Sequence, residues 1–171
     1  MFSKDVKVYS LREAKENSID LKHFLCEKEE FTDHFLNVLP NDDSQGLGKA
    51  FLFIHNEKVI GYLVLAMSQL NKRWYDGFNQ SIKTVEYIPA LLIGKMARHF
   101  EYKGKGVGTI MRDYALNKAL NLSEQIGCRL LVLEAVEDKI DLYLKWGFSP
   151  IDIEFRNTMF IDLLTIKNTK V

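Results

Sequence analysis

The chain has 171 residues, 47% of them hydrophobic and 12% aromatic, which excludes a disordered protein and predicts a single domain over residues 1–171. Its formal net charge of zero argues against nucleic acid as the main ligand. No segment approaches the roughly 18 apolar residues of a membrane span, and the first residues lack an apolar signal segment, so we expect a cytoplasmic protein that does not bind a membrane.

The first third of the chain predicts one strand followed by helices. A short strand is expected over residues 6–11. The apolar spacing then predicts helices around residues 19–26 and 30–38. The segment 39–43, which contains a proline, is expected to end this helical region.

A hairpin is the next predicted element. Residues 50–54 and 58–66 are rich in apolar residues, as strands are, and each is predicted to be a strand. Residues 55–57 are predicted to form the turn between them. The polar and aromatic segment 69–81 predicts a loop or a short helix.

The second half of the chain alternates strands with helices. We expect strands at residues 87–97, 129–135 and 158–166, and helices at residues 109–125 and 137–146. The whole order predicts an α/β protein whose central sheet is mixed, largely antiparallel and flanked by helices.

A glycine-rich segment precedes the strongest predicted helix. It does not contain the Gly-Lys-Ser/Thr of a P-loop, and a dinucleotide fingerprint would need glycine where Thr109 stands. Glycines let a backbone approach a phosphate without a Cβ between them, and the amides of the following helix then point at the anion. Taken alone, the segment predicts either a phosphate-binding loop or an ordinary glycine turn before the helix, and it is formed by Lys103, Gly104, Lys105, Gly106, Val107, Gly108 and Thr109.

This segment resembles Arg/Gln-x-x-Gly-x-Gly/Ala, the pyrophosphate loop of the GNAT family of N-acetyltransferases. Lys103 stands where the family has Arg or Gln, so the charge is kept and the planar fork is lost. Residues 88–97 and 127–135 are similar to the family's fourth and fifth strands, and residues 158–163 to its closing strand. Residues 141–148 resemble the family's Phe-Tyr-x-x-x-Gly-Phe signature, with leucine in the place of phenylalanine.

The resemblance implies a fold, a co-substrate and a reaction. In this family an amine attacks the thioester of acetyl-CoA directly, with no covalent enzyme intermediate and no metal. Tyr143 corresponds to the tyrosine that protonates the departing thiolate, since a phenol with a pKa of about 10 can act as a general acid. Met96, Ala97 and Arg98 correspond to the strand end whose backbone pairs with the pantetheine arm.

Each assignment has a structural alternative. Tyr143 could instead be a core residue, although we expect its neighbours Leu142, Leu144 and Trp146 to supply enough apolar surface for packing without it. Lys95, beside the predicted phosphate path, could equally be a solvated lysine. A base for the amine could be Glu86, Glu101 or Glu134, and the residues do not decide between them. His99 could titrate near neutrality or be an inert connector residue. The loop that contains Lys72, Arg73, Trp74 and Tyr75 could hold the acceptor or simply cover the core.

The amine acceptor is left open by the residues. Residues 24–35 and 57–62 are similar to a family subgroup that includes tRNA-acetylating toxins, which act on aminoacyl-tRNA and pair with an antitoxin. The zero net charge disfavours that acceptor, whereas a run of cations favours it: Lys95, Arg98, Lys103, Lys105 and Arg112. A small-molecule or protein amine is therefore preferred. A catalytically inactive protein that binds CoA as a sensor is disfavoured, because the glycine loop and the tyrosine are both intact. The resemblance also implies a possible homodimer, since members of the family often dimerise.

Overall fold

The computed structural model describes residues 5–152 and 157–168. Within these residues the strands are β1 (Lys7–Ser10), β2 (Lys49–His55), β3 (Lys58–Asn71), β4 (Tyr87–Arg98), β5 (Leu130–Glu134), β6 (Ser149–Pro150) and β7 (Thr158–Asp162). They are hydrogen-bonded in the order β1-β2-β3-β4-β5-β7-β6. The pairs β1–β2, β2–β3, β5–β7 and β6–β7 are antiparallel, and β4–β5 is parallel. The predicted α/β class with a mixed, largely antiparallel sheet is confirmed.

Helices precede, interrupt and follow these strands. The α-helices are α1 (Leu11–Glu16), α2 (Glu29–Asp33), α3 (Leu39–Ser44), α4 (Asp76–Ser81), α5 (Val107–Ser123), α6 (Ile140–Lys145) and α7 (Leu163–Asn168). A π-helical turn, His34–Val38, lies between α2 and α3, and short 3-10 turns lie at Lys72–Trp74, Phe100–Tyr102 and Glu137–Lys139. No helix in the described ranges is long and apolar enough to cross a membrane.

The chain forms two compact units. The first comprises Met1–Ala66 and Gly94–Tyr114, and the second comprises Met67–Ile93 and Ala115–Val171. The core of the first unit is built from apolar side chains that include Phe24, Phe35, Leu39, Leu52, Tyr62 and Ala97. The core of the second includes Leu70, Phe78, Ile88, Ala90, Leu130, Val132 and Phe160.

The predicted hairpin of the first unit is confirmed. His55 pairs with Lys58, and the two residues between them, Asn56 and Glu57, have φ angles of 48° and 61°. Positive φ at both central positions is the turn geometry that matches the twist of the two strands. A β-bulge between Phe53 and Ile54 then shifts the register by one residue, so that the buried Tyr62 lies opposite Leu52.

The helix predicted at residues 19–26 is absent, and α1 forms earlier instead. Ser10 caps α1: its hydroxyl accepts the Glu13 N–H, and the Glu13 carboxylate accepts the Ser10 N–H. This capping box also ends the first strand at Ser10. Further on, the Asp20 carboxylate accepts the Lys22 N–H at 2.9 Å, a local bond that competes with helix formation.

The helical region also extends beyond its predicted end. Pro40 falls in the first turn of α3, where a missing N–H costs no intrahelical bond. The helix therefore continues to Ser44, and the turn before β2 begins only after it.

In the second unit the closing strand is shorter than predicted. It ends at Asp162, whose carboxylate accepts the Leu164 N–H at 3.0 Å and so caps the start of α7. Arg129 holds the same carboxylate through two bonds of 2.6 Å. The α5 helix likewise ends at Ser123 rather than at the predicted residue 125.

Candidate functional site

The glycine loop lies between the end of β4 and the start of α5, in the first unit. Gly104 and Gly106 have φ angles of +72° and +82°, which side-chain-bearing residues rarely adopt. A Cβ built at either glycine would have no atom within 4 Å, so the space beside the loop is open. The loop backbone therefore borders an open space that a phosphate group could enter.

The start of α5 supplies backbone donors beside that space. The Gly106 carbonyl accepts the Ile110 N–H at 3.2 Å, which makes Gly106 the residue just before the helix. The first amides of a helix have no intrahelical acceptor, so Val107, Gly108 and Thr109 can donate to an anion. Their role in cofactor binding stays a prediction.

A carboxylate that sequence reasoning missed lies against two of the predicted phosphate-binding cations. Glu27 contacts the Arg98 guanidinium and the Lys103 ammonium, each at 2.8 Å. The Lys103 hydrogen bond, followed by the charge of Arg98, lowers the pKa of the Glu27 carboxyl. Arg98 also donates to the carbonyls of His99 and Phe100. Glu27 is separated from both cations by more than 70 residues, so no local pattern pointed to it.

Neutralising this carboxylate is expected to strengthen acetyl-CoA binding. Glu27→Gln keeps an oxygen for Arg98 and Lys103 and removes the negative charge that competes with a pyrophosphate. We expect the Kd for acetyl-CoA to fall roughly two- to fivefold at low salt, the scale of an exposed ion pair. Isothermal titration at two salt concentrations measures the change, with Glu16→Gln as the control; an unchanged or higher Kd for Glu27→Gln would contradict it.

Two further predicted cations of the first unit, Lys105 and Lys95, rest on aromatic rings. The Lys105 ammonium lies 4.8 Å from the centre of the Tyr102 ring, and that of Lys95 lies 5.5 Å from the centre of the Phe31 ring. Both distances are in the range of cation–π contacts. Lys105 is thus held at the loop, and Lys95 is held against the helical region that contains Phe31.

His99 has a structural role in the first unit. It is buried, its Nδ1 accepts the Glu101 N–H at 3.3 Å, and its Nε2 donates to the His23 carbonyl at 3.2 Å. Both ring nitrogens are therefore used to join the end of β4 to the segment before α2. We assign no chemistry to His99.

At the end of β4, the backbone of Ala97 lies close to the neighbouring strand. Ala97 is buried in the core, and a Cβ on Gly61 of the neighbouring strand would come within 3.1 Å of the Ala97 carbonyl. Gly61 therefore permits the close approach of β3 to this strand end. Met96, one residue earlier, is half-buried. Pairing of this strand end with a pantetheine arm stays a prediction.

Tyr143 lies on α6, in the second unit, and takes part in packing. Its ring contacts Trp146 and Phe148 at centroid distances of 5.5 and 5.8 Å. Leu142 and Leu144 are 38% and 39% exposed, because adjacent helical positions point about 100° apart. Of the three residues expected to supply the packing surface without Tyr143, the two leucines are thus largely exposed, whereas Trp146 packs against the Tyr143 ring.

The Tyr143 hydroxyl nevertheless keeps its proton available. Burial, followed by the nearby charge of Asp138, raises the pKa of this phenol, so it is protonated throughout the physiological range. Within residues 5–152 and 157–168, no hydrogen bond to this hydroxyl is found. Gly147, with φ +88°, ends the helix directly after this segment.

Two of the candidate bases, both in the second unit, have other partners. The Glu134 carboxylate accepts the Thr158 hydroxyl at 2.7 Å, and Glu86 pairs with Arg73 at 3.3 Å. Trp74, in the same loop as Arg73, is 58% exposed. The part of the chain that the structure describes contains no group of three or more His, Cys, Asp or Glu side chains able to hold a metal.

Comparison with known proteins places the fold. No family model matches the chain. The structure of AtaT complexed with acetyl-methionyl-tRNAfMet is 22% identical, with a TM-score of 0.88 over 98% of this chain and 100% of that one. AtaTR bound with AcCoA is 22% identical, with a TM-score of 0.79 over 98% and 99%. A tyrosine-to-phenylalanine mutant of KacT is 18% identical, with a TM-score of 0.87 over 97% and 99%. The chain has the fold of these proteins, the GNAT fold.

Proposed function

We propose that this protein is an acetyl-CoA-dependent N-acetyltransferase and that its acceptor is the amino group of an aminoacyl-tRNA. The observation that carries the proposal is the similarity over the full chain to AtaT, which is seen with acetyl-methionyl-tRNAfMet and, as AtaTR, with AcCoA. The open glycine loop and the protonated Tyr143 supply the two functions that such a reaction requires.

The loop residues fit the phosphate end of acetyl-CoA. Gly104 and Gly106 leave open the space that a Cβ would fill. The first amides of α5 have no intrahelical acceptors and can donate to a phosphate group. Arg98 and Lys103 add positive charge and would exchange Glu27 for phosphate oxygens. Acetyl-CoA itself supplies the activated acetyl group as a thioester.

The reaction is a direct acyl transfer. The neutral amine attacks the thioester carbonyl carbon, a C–N bond forms, and the C–S bond breaks with its electron pair on sulfur. The attacking nitrogen releases one of its N–H protons to a basic group or to water, the departing thiolate takes a proton from the Tyr143 hydroxyl, and the phenolate then regains a proton from solvent. The raised pKa of Tyr143 ensures that the proton is present when the thiolate forms.

A second candidate acceptor, an amine outside nucleic acid, is favoured by the pairing of the cations. Glu27 holds Arg98 and Lys103, Asp113 pairs with Arg112 at 2.7 Å, and the net charge of the chain is zero. A nucleic-acid-binding surface ordinarily leaves such groups for phosphate. The aminoacyl-tRNA proposal therefore requires that tRNA displace these carboxylates.

The acceptor is tested with labelled acetyl-CoA and methionyl-tRNAfMet. We expect acetylated methionyl-tRNAfMet with the wild type and little with Tyr143→Phe. The affinity for tRNA should fall roughly 10- to 50-fold between about 50 and 200 mM salt, as two to three phosphate contacts would give.

Growth arrest on expression, dependent on Tyr143, would agree with this acceptor, and a partner protein that relieves the arrest would agree with an antitoxin. Labelling of free amino acids, polyamines or peptides by the wild type, with none of methionyl-tRNAfMet, would favour the second candidate instead.

A further inference from the structure

His34 is a histidine of the first unit to which the proposed reaction assigns no role. It begins the π-helical turn His34–Val38, and such turns frequently lie at functional sites. The ring is half-buried and stacks on Tyr62, with centroids 5.9 Å apart and planes inclined by 10°. Its Nδ1 lies 3.2 Å from the Tyr62 hydroxyl oxygen.

A relay of two hydrogen bonds decides which ring nitrogen of His34 carries the proton. The fully buried Tyr62 donates its hydroxyl hydrogen to the Phe31 carbonyl at 3.1 Å. A hydroxyl has one hydrogen, so the Tyr62 oxygen can only accept from His34, and Nδ1 must be the donor. Burial raises the pKa of Tyr62, which keeps the relay intact. The neutral imidazole therefore has its lone pair on Nε2.

The Nε2 atom is available to a ligand. No hydrogen bond to it is found within the described ranges, and it is not among the buried, unsatisfied atoms there, so it is open to solvent. Burial, and then the positive charge of Lys95, lower the pKa of His34, whereas Asp42 and Asp33 act in the opposite direction. The net result favours the neutral imidazole, the form that accepts a proton.

The position of His34 relates it to the strand end predicted to bind the cofactor. The side chain of Lys95, whose charge acts on His34, lies over the ring of Phe31. Lys95 directly precedes Met96 and Ala97, and Ala97 shares the core cluster of Tyr62. His34 and the end of β4 therefore lie on the same face of the first unit.

We propose that His34 Nε2 is the general base that accepts a proton from the acceptor amine. This role rests on the proposed acetyl transfer. As the amine nitrogen bonds to the thioester carbon, one of its N–H protons passes to Nε2, and the departing thiolate takes a proton from Tyr143. The imidazolium then releases its proton to solvent, and the phenolate regains one, so the protons balance.

The discriminating variant is His34→Asn, since the asparagine Nδ2–H can replace the Nδ1–H donor to Tyr62 while the base is lost. We expect kcat with methionyl-tRNAfMet to fall roughly 100-fold, with the KM for acetyl-CoA unchanged. The wild type should lose activity as the pH falls below the depressed pKa of His34, which lies under about 6.5, and this acid limb should vanish in the variant.

The loss of activity that follows from protonation of the acceptor amine, near pH ~8, should remain in both the wild type and His34→Asn. His23→Asn, in which an exposed ring is changed, is the matched control and should retain the wild-type profile.

A spectroscopic readout tests the tautomer without any turnover. In protein labelled with ¹⁵N-histidine, His34 should show a protonated Nδ1 and an unprotonated Nε2 at pH 7.5. Tyr62→Phe should remove this preference, because the acceptor of the Nδ1 proton is gone. A neutral His34 protonated on Nε2 would overturn the proposal.

The activity measurements separate this role from the function on which it rests. If the wild type transfers acetyl groups and His34→Asn keeps both its kcat and its acid limb, the role of His34 is wrong and the function stands. If the wild type acetylates no amine, the function and the role of His34 fall together.

Discussion

Replacing Tyr143 with phenylalanine is expected to lower kcat roughly 100-fold or more, the usual contribution of a general acid. The hydroxyl has no hydrogen-bond partner among the described residues, so its loss should leave folding intact. The ring contacts with Trp146 and Phe148 remain in the variant. Initial rates with methionyl-tRNAfMet, together with the Kd for acetyl-CoA, measure the effect.

A second tyrosine provides the control for this variant. Tyr114, in the first unit, contacts Phe51 and Phe53, and burial raises the pKa of its phenol as it does for Tyr143. Tyr114→Phe should therefore turn over at the wild-type rate. Because the pKa of Tyr143 is raised above its ordinary value of about 10, no loss of the acid is expected up to that pH. Equal turnover of Tyr143→Phe and the wild type would show that another group protonates the thiolate.

Gly106→Val is expected to abolish measurable acetyl-CoA binding. The φ angle of +82° is strained for a β-branched residue by about 1–3 kcal/mol. The valine side chain would also occupy the open space beside the loop, where we place the pyrophosphate. Thermal unfolding measures this result, since acetyl-CoA at about 100 times its Kd should stabilise the wild type by about 2.7 kcal/mol and the variant not at all.

A second glycine of the first unit provides the control for the effect of backbone strain alone. Gly46 has a φ angle of +72°, and a Cβ there would also meet no atom within 4 Å. Gly46→Val should lose similar stability without ligand and retain the full stabilisation by acetyl-CoA. Equal acetyl-CoA affinity of Gly106→Val and the wild type would remove the loop from the cofactor site.

Much of the fold could be predicted because its signals are local. The hairpin turn at Asn56 and Glu57, the strand segments β4 and β5, and the helix after the glycine loop each follow from residues that are close in the chain, whereas the parallel pairing of β4 with β5 does not. The glycines of the loop could be identified in the same way, since glycine is the residue type that most readily adopts positive φ.

The errors arose where a local bond or a distant contact overrode periodicity. The Ser10 capping box began α1 early, and Asp162 ended β7 by capping α7. The packing of the Tyr143 ring could not be predicted because the sequence of α6 does not reveal which of its apolar residues faces the core. That face is chosen by the elements around the helix.

The order of most elements, the glycine-rich loop and the candidate acid Tyr143 could be inferred from the sequence alone. The contacts of Glu27 with Arg98 and Lys103, and of Tyr62 with His34, became apparent only in the folded structure. These contacts join residues 28 to 76 positions apart. Ion pairs and hydrogen bonds act over a few ångströms in space, so they depend on how the chain folds back on itself rather than on spacing along it.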